Sequence, residues 1–257
     1  IEATFVDPGD LDAWRASVRP STRLFFGETL GNPGNLLLDI EKVAAIAHEA
    51  GVPLMLDSTL TTPYLVRPFE FGADIVIHST TKYMDGHATS IGGCIVDSGD
   101  FDWEAHHDKF PGLTEPDPSY HGLAYSKAFG KKAYIVKATA QLMRDLGSIP
   151  SPMNAFLLNL GLETLHLRVL RHCENAQKVA EYLQQRPEVA WVHYSGLKND
   201  KYHALAQKYF DGGRSCGVIS FGLKGDRAMS EKFMDSLKLV AIVSHVADAR
   251  SCVLHPA

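Results

Sequence analysis

Cysteine is scarce in this sequence. Only four occur in 257 residues, Cys94, Cys173, Cys216 and Cys252, and none form a CxxC pair. Such scatter argues against a disulfide framework and for reduced, buried thiols in a cytoplasmic protein. A basic excess is also missing. The 25 Lys and Arg are outnumbered by 30 Asp and Glu, a net charge of −5 with His neutral, which argues against nucleic acid or an anionic membrane as partner. No apolar run approaches the roughly 20 residues that cross a bilayer. The acidic, mixed opening IEATFVDPGD does not read as a signal peptide. Histidine is plentiful, yet there is neither HExxH nor a Cys/His cluster at zinc spacing, so no metal is expected, and His106-His107 reads as surface. GxxxxGK(S/T) is absent, which excludes a P-loop. LGNPGN (30–35) lacks the third glycine of a dinucleotide-binding turn. Internal repeats and low-complexity segments are absent too.

What is present is an ordinary globular balance. Apolar residues make up 45% and charged residues 21%, enough to build a sizeable core. The length suits one or two domains. The first hundred residues alternate strand and helix signals. A short helix is expected over 10–19, begun by Asp10, and a strand over TRLFFGE (22–28). After the Gly/Asn/Pro turn, Asp39 has the place of an N-cap. Val43, Ile46, Ala47 and Ala50 then fall on one helical face, stopped by Gly51. VPLMLD (52–57), ADIVIHS (73–79) and IGGCIVDSG (91–99) read as strands of the doubly buried, parallel kind. Together these signals give an α/β fold with a mostly parallel sheet. Residues 100–127, rich in Pro, Asp, His and aromatics, have no clear period. Helix is expected over 128–146. A long helical pattern follows from about 153 to 186, with Leu158, Leu162, Leu165 and Val169 on its apolar face. Strands are expected at 189–196 and 216–225, helices near 200–210 and 230–237, and two short strand-like runs in the tail. The SIPSP stretch (148–152) marks a boundary near 148–155 between this first unit and a smaller α/β unit.

Chemistry-bearing residues gather at the C-terminal ends of the expected parallel strands, where open α/β sheets hold ligands. Asp57 ends one strand, and His78-Ser79-Thr80-Thr81-Lys82-Tyr83 ends the next. Glu28 and then Asn32-Pro33 end the earlier one. A lysine at such a crevice can present its amine as a nucleophile. The hydroxyls at 79, 80 and 81 can bind phosphate oxygens, and Asp57 could face a ring-nitrogen cation. Pyridoxal phosphate needs this set. The spacing alone does not select it, because a solvated lysine after a strand and a strand-end carboxylate look the same.

The motif HSTTKYMDGH (78–87) resembles the lysine motif, commonly HSxTKYxxGH, of the cysteine/methionine-metabolism branch of fold-type I pyridoxal-phosphate enzymes. The resemblance extends through ETLGNPGN (28–35), PLMLDSTLTTPYLVRPFEFGADIVIHS (53–79), TSIGGCIVD (89–97), KFPGLTEPDPSYHGLAY (109–125), residues 141–180 and VADARSCVLHPA (246–257). It implies an aspartate-aminotransferase-like fold. Residues 1–150 would belong to the larger cofactor-binding domain, without its N-terminal part, and 151–257 to the smaller C-terminal domain, without its end. It implies pyridoxal 5′-phosphate held as a covalent aldimine by Lys82, which also shuttles protons. Asp57 would pair with the pyridinium nitrogen, Ser79 and Thr81 would contact the phosphate, and Thr59 and Asn32 would lie on the ring and its 3′-oxygen. Thr80, Tyr83 and Glu28 would be structural.

The TEPDPSYHGL loop and the SPMNAFLLNLGLETLHLR helix are similar to the branch members that convert O-acetyl-L-homoserine and sulfide to L-homocysteine and acetate in methionine biosynthesis. Methionine γ-lyase, cystathionine γ-synthase or lyase, and O-succinylhomoserine sulfhydrylase activities are the alternatives. The implied partners are these small molecules and further copies of the chain, a homotetramer with active sites shared between subunits. Two departures from the pattern stand out. The family's upstream Tyr-x-Arg pair, phosphate turn and ring-stacking aromatic have no counterpart, nor has the arginine beyond HPAS, so a central and C-terminal piece is expected. Many relatives read Asn-Val-Gly where this sequence has His245-Val246-Ala247, which makes His245 a candidate substrate-side residue.

Overall fold

The computed structural model describes residues 1–255. Pro256 and Ala257, the end of the 246–257 match, lie outside the described residues. The short helix Leu11–Ala16 starts as its sequence suggests, with the Asp10 carboxylate accepting from the Asp12 and Ala13 amides. The apolar run at 22–28 then yields β1 (Phe25–Glu28). The Gly/Asn/Pro turn folds as a hairpin between β2 (Leu30–Gly31) and β3 (Leu36–Leu37). Next come β4 (Leu54–Asp57), parallel to β1, and β5 (Ile75–Ser79), parallel to β4. The sheet order is β1-β4-β5 followed by β6 (Gly93–Asp97).

The expectation of a third parallel-type strand at 91–99 is corrected here: β6 runs antiparallel to β5. The 80–92 connection contains turns and no helix, so the chain re-enters the sheet at the end it left, whereas parallel pairing needs a crossover. Burial differs accordingly, with Ile95 and Val96 of β6 exposed while Leu54, Leu56, Ile75 and Val76 are buried.

The helix Ile40–Glu49 buries Ile40, Val43, Ala44, Ile46 and Ala47 against this sheet, and Gly51 follows in a left-handed conformation at φ 64°. Asp39 precedes the helix but does not cap it with its side chain. Its carboxylate instead accepts from the Tyr209 hydroxyl at 2.5 Å, and that hydroxyl accepts from the Glu41 amide at 3.3 Å. The expected cap is therefore a relay through a residue of the second half.

The pattern expected as one helix over 153–186 is two: Pro152–Glu163, capped by Ser151, and Leu165–Gln184. The break at Thr164 (φ −107°, ψ 3°) shifts the phase of the apolar stripe. Leu162 is left exposed, while Leu165, Val169, Cys173, Ala176 and Ala180 form the buried face. The main core runs from Trp14 through the strands to Leu165, Val169, Tyr209 and Cys216, so it is built from both halves. Beyond it, β7 (Val189–His193) pairs antiparallel with β8 (Ser220–Leu223), and the helices His203–Tyr209 and Arg227–Ser236 fall where expected. In the tail, β9 (Ala241–Ile242) and β10 (Cys252–Val253) pair parallel. The aperiodic 100–127 stretch is ordered around its own aromatic cluster, with Trp103 and Tyr125 buried beside Leu113 and Ile75. Among the described residues no helix is long and apolar enough to cross a membrane.

One polar contact fixes the end of the Ile40–Glu49 helix. Asp74 Oδ2 accepts from the Leu54 amide at 2.8 Å and meets His48 Nε2 at 2.8 Å. This hydrogen bond, opposed by partial burial and helped by the Asp74 charge, holds the His48 pKa above its usual 6.5. A raised folded-state pKa contributes stability that is full below 6.5 and is lost as pH rises through the higher folded value. Urea denaturation at about pH 6 and about pH 8 is expected to show a decline in stability that His48→Gln largely removes. An equal decline in both proteins would refute this role for His48.

Candidate active site

In-register parallel pairing brings three strand ends to one place. Glu28 of β1 lies opposite Asp57 of β4, and Asp57 lies opposite Ile77 of β5, so the turn after Ser79 emerges beside both carboxylates. Asp57 is half-buried, and its Oδ1 accepts from the Thr59 amide at 2.9 Å. Thr59 Oγ1 in turn accepts from the Ser79 amide at 2.8 Å. This chain of contacts ties the ends of β4 and β5 together. Beneath it lies a buried hydroxyl network: Thr29 Oγ1 donates to Ser58 Oγ at 3.0 Å, and Ser58 Oγ shares a 2.6 Å bond with Thr61 Oγ1. The Ser58 carbonyl meets His78 Nδ1 at 3.0 Å. Burial lowers the pKa of His78, against the opposing pull of that contact and of the Asp57 charge, so the imidazole is a neutral strut.

Lys82 sits in a closed turn. Its amide donates to the Ser79 carbonyl at 3.3 Å, the Asp85 amide to Thr80 at 3.0 Å, and the Gly86 amide to the Lys82 carbonyl at 2.8 Å. Among the described residues its ammonium has no hydrogen bond or ion pair. The Ser79 hydroxyl and the Asn32 side-chain amide are likewise uncommitted there. Thr81 is committed: its hydroxyl donates to the Gly92 carbonyl at 3.3 Å and accepts from the Gly92 amide at 3.1 Å. Of the two hydroxyls that the resemblance puts at a phosphate, Ser79 and Thr81, Ser79 keeps its proton free in this arrangement. The backbone N–H of Asn32, not its side chain, faces the Glu28 carboxylate. Burial first, then the Asp57 charge, raises the pKa of Glu28, and the Asn32 bond lowers it in part.

The tail completes the surroundings. The Ala249 amide donates to the Gly86 carbonyl at 2.9 Å. The Cys252 thiol donates to the His245 carbonyl at 3.3 Å. Burial first, then the Asp248 charge, raises the Cys252 pKa, and the charges of Arg250 and then Lys82 lower it in part. His245 Nε2 is buried with no partner among the described residues.

Lys82, Asp57, Thr59, Ser79 and Thr81 thus share one end of the sheet, with Asn32 joined through Glu28. The Thr29–Ser58–Thr61 network and Gly92 escaped the sequence reading. Isolated hydroxyls and a glycine carry no periodic signal, and only the pairing of β1, β4 and β5 brings them together.

A half-buried, uncommitted lysine in the turn after one parallel strand, with a carboxylate ending the neighbouring strand, defines a site of the kind that holds a carbonyl-bearing cofactor. The family model for Cys/Met metabolism PLP-dependent enzymes matches residues 1–257, and the chain belongs to that family. It is 47% identical over 265 residues to an O-acetyl-L-homoserine sulfhydrylase of Leptospira meyeri, covering 100% of this chain and 60% of the relative. It is 45% identical to a homocysteine synthase of Schizosaccharomyces pombe, covering 100% of this chain and 60% of that protein. A crystal structure from Campylobacter jejuni, assigned as an O-acetylhomoserine (thiol)-lyase and carrying N′-pyridoxyl-lysine-5′-monophosphate, superposes with a TM-score of 0.93. It is 35% identical to this chain, with 97% of this chain and 61% of that one covered. The chain spans about 60% of the length of the curated relatives it matches.

Ala247, which stands where the resemblance has glycine, is buried at φ 70°. A Cβ in this left-handed region costs about 1–2 kcal/mol. Ala247→Gly is expected to raise stability by about 1 kcal/mol once the added freedom of glycine in the unfolded chain is subtracted. The corresponding rise in melting temperature is about 2–4 °C. An unchanged or lower melting temperature would rule out strain at this residue.

Proposed function

We propose that the protein carrying this chain performs γ-replacement on O-acetyl-L-homoserine, with sulfide entering, acetate leaving and L-homocysteine as product. The observation that carries this reading is the joined ends of β4 and β5, which bring Asp57 to the start of the turn that carries the uncommitted Lys82. The donor set fits pyridoxal phosphate. Lys82 offers the amine, Asp57 keeps Oδ2 free of protein partners among the described residues, and Ser79 and Asn32 keep free polar groups. Once bound, pyridoxal phosphate supplies an electron sink conjugated to the α-carbon of an amino acid.

The chain's own residues would do the rest. Asp57 Oδ2 faces the protonated ring nitrogen and keeps it charged. Ser79, and Thr81 after release from Gly92, bind phosphate. Thr59 and Asn32 orient the ring and its 3′-oxygen. Lys82 Nζ, once free of the cofactor, removes the α-proton of the substrate and returns a proton to the product. His245 borders the substrate side. Residues 1–150 would form the bulk of the cofactor-binding unit, and 151–257 the smaller unit that closes on it. The four unpaired cysteines suit a cytoplasmic setting.

Assay of the purified protein with O-acetyl-L-homoserine plus sulfide, against methionine alone, tests the reading. Homocysteine from the first mixture is expected. Elimination products from methionine alone would place the protein among the γ-lyases instead. Lys82→Ala is expected to lower turnover by about a thousandfold or more, and Asp57→Asn by about a hundredfold. Retained homocysteine formation in Lys82→Ala would overturn the assignment.

The same reading includes assembly into a homotetramer with shared active sites. In its support, Leu146, Ile149, Met153 and Phe156 are 76%, 67%, 63% and 55% exposed within one short stretch. Apolar surface gathered this way marks an interaction face. Light scattering is expected to give a tetramer mass that Phe156→Asp lowers, and a monomer mass for the unsubstituted protein would defeat this part.

A further inference from the structure

The turn that carries Lys82 is held from its far side by a single guanidinium. Arg168 lies in the first turn of the helix Leu165–Gln184. Its Nη1 donates to the Tyr83 carbonyl at 2.8 Å, and its Nη2 to the Gly161 carbonyl at 2.6 Å and the Met84 carbonyl at 3.4 Å. Its Nε donates to Thr164 Oγ1 at 3.1 Å. Tyr83 and Met84 are the two residues after Lys82, and both are buried. Gly161 belongs to the last turn of the helix Pro152–Glu163, whose terminal carbonyls lack intrahelical donors and carry the negative end of the helix dipole.

Among the described residues Arg168 has no carboxylate within salt-bridge distance. Burial lowers its pKa, and the charge of Asp85 opposes this. A half-buried cation spent wholly on backbone and hydroxyl oxygens is a spacer of fixed shape, because the planar fork reaches two segments at once. Two glycines make room for it. A Cβ on Gly86, at φ 72°, would overlap the Arg168 guanidinium. A Cβ on Gly161 would overlap the carbonyl oxygens of Met84 and Asp85. The 83–86 turn is thus packed against the kink between the two helices with no spare space.

We infer that Arg168 is a positioning residue, which fixes the backbone of the Lys82 turn so that the ε-amine is presented for attachment of pyridoxal phosphate. This rests on the reading of Lys82 given above. Without the guanidinium, two buried carbonyls lose their donors, and the turn can recover hydrogen bonds only by moving. Lysine at 168 cannot replace it, since a single ammonium is a point donor and not a fork.

The test uses the purified protein, unsubstituted and as Arg168→Met and Arg168→Lys. Hydrogen exchange is followed at the 83–86 amides in protein freed of cofactor. The rate of borohydride-trappable pyridoxal phosphate attachment at Lys82 is followed by peptide mass. Arg168→Met is expected to speed exchange at 83–86 and slow attachment, each by about tenfold, with exchange in β4 and β5 unaltered. Arg168→Lys, which keeps charge and stem, is expected to fall between. A purely structural role would lower the melting temperature and speed exchange throughout, and that result would overturn the inference, as would values for both variants equal to the unsubstituted protein. If Arg168→Met fails to fold, Arg168→Lys decides by the same two readouts. Absence of the label from Lys82 in the unsubstituted protein would instead overturn the assignment of Lys82, whatever the exchange at 83–86 shows.

Discussion

The lysine end of the molecule depends on the register of three short parallel strands. Side chains alternate across a strand with period two, so a slip of one residue would send every side chain on that strand to the other face. With Glu28 opposite Asp57 and Asp57 opposite Ile77, the apolar residues Leu54, Leu56, Ile75 and Val76 are all buried. On β4 the alternation of buried Leu54 and Leu56 with half-buried Met55 and Asp57 favours the register that also sets Asp57 beside the exit of β5. Site geometry and core packing are two consequences of one constraint, and neither can be altered without the other.

Parallel strands leave their ends open, and this chain closes them with side-chain oxygens. Thr59 takes the Ser79 amide, Ser58 joins Thr29 and Thr61, and Thr81 is exchanged with Gly92 in both directions. Short hydroxyl side chains satisfy buried backbone groups without carrying charge into the low-dielectric interior. The lysine turn then rests on the second half of the chain through Arg168, and on the tail through the Ala249 amide at Gly86. Residues distant in sequence converge on a turn of five residues, 82–86, which makes it far more constrained than its coil-like backbone suggests.

Periodicity made the strands legible, because doubly buried strands read as unbroken apolar runs. Asp57, Thr59, Ser79 and Lys82 were legible as a group because they sit at the ends of those runs. Direction was not legible for β6: its residues look like those of β5, and only the missing crossover helix makes it antiparallel. The helix break at Thr164 was hidden because helix-forming residues continue across it. Asp39 was read locally as a cap, and a tyrosine 170 residues away took its carboxylate. There a contact remote in sequence outweighed a correct local preference.

Two carboxylates face the lysine end, and their surroundings separate their duties. Glu28 is bound by the Asn32 amide, and burial with the neighbouring Asp57 charge pushes its pKa upward. Asp57 keeps one oxygen on the Thr59 amide and holds the other free of protein partners among the described residues. A cation arriving at the strand ends meets Asp57 as the available anion, while Glu28 holds the Asn32 turn in place. That division follows from two backbone amides, each bonded to one carboxylate, and it explains why a pair of like charges on adjacent strands can be kept at a site that needs only one.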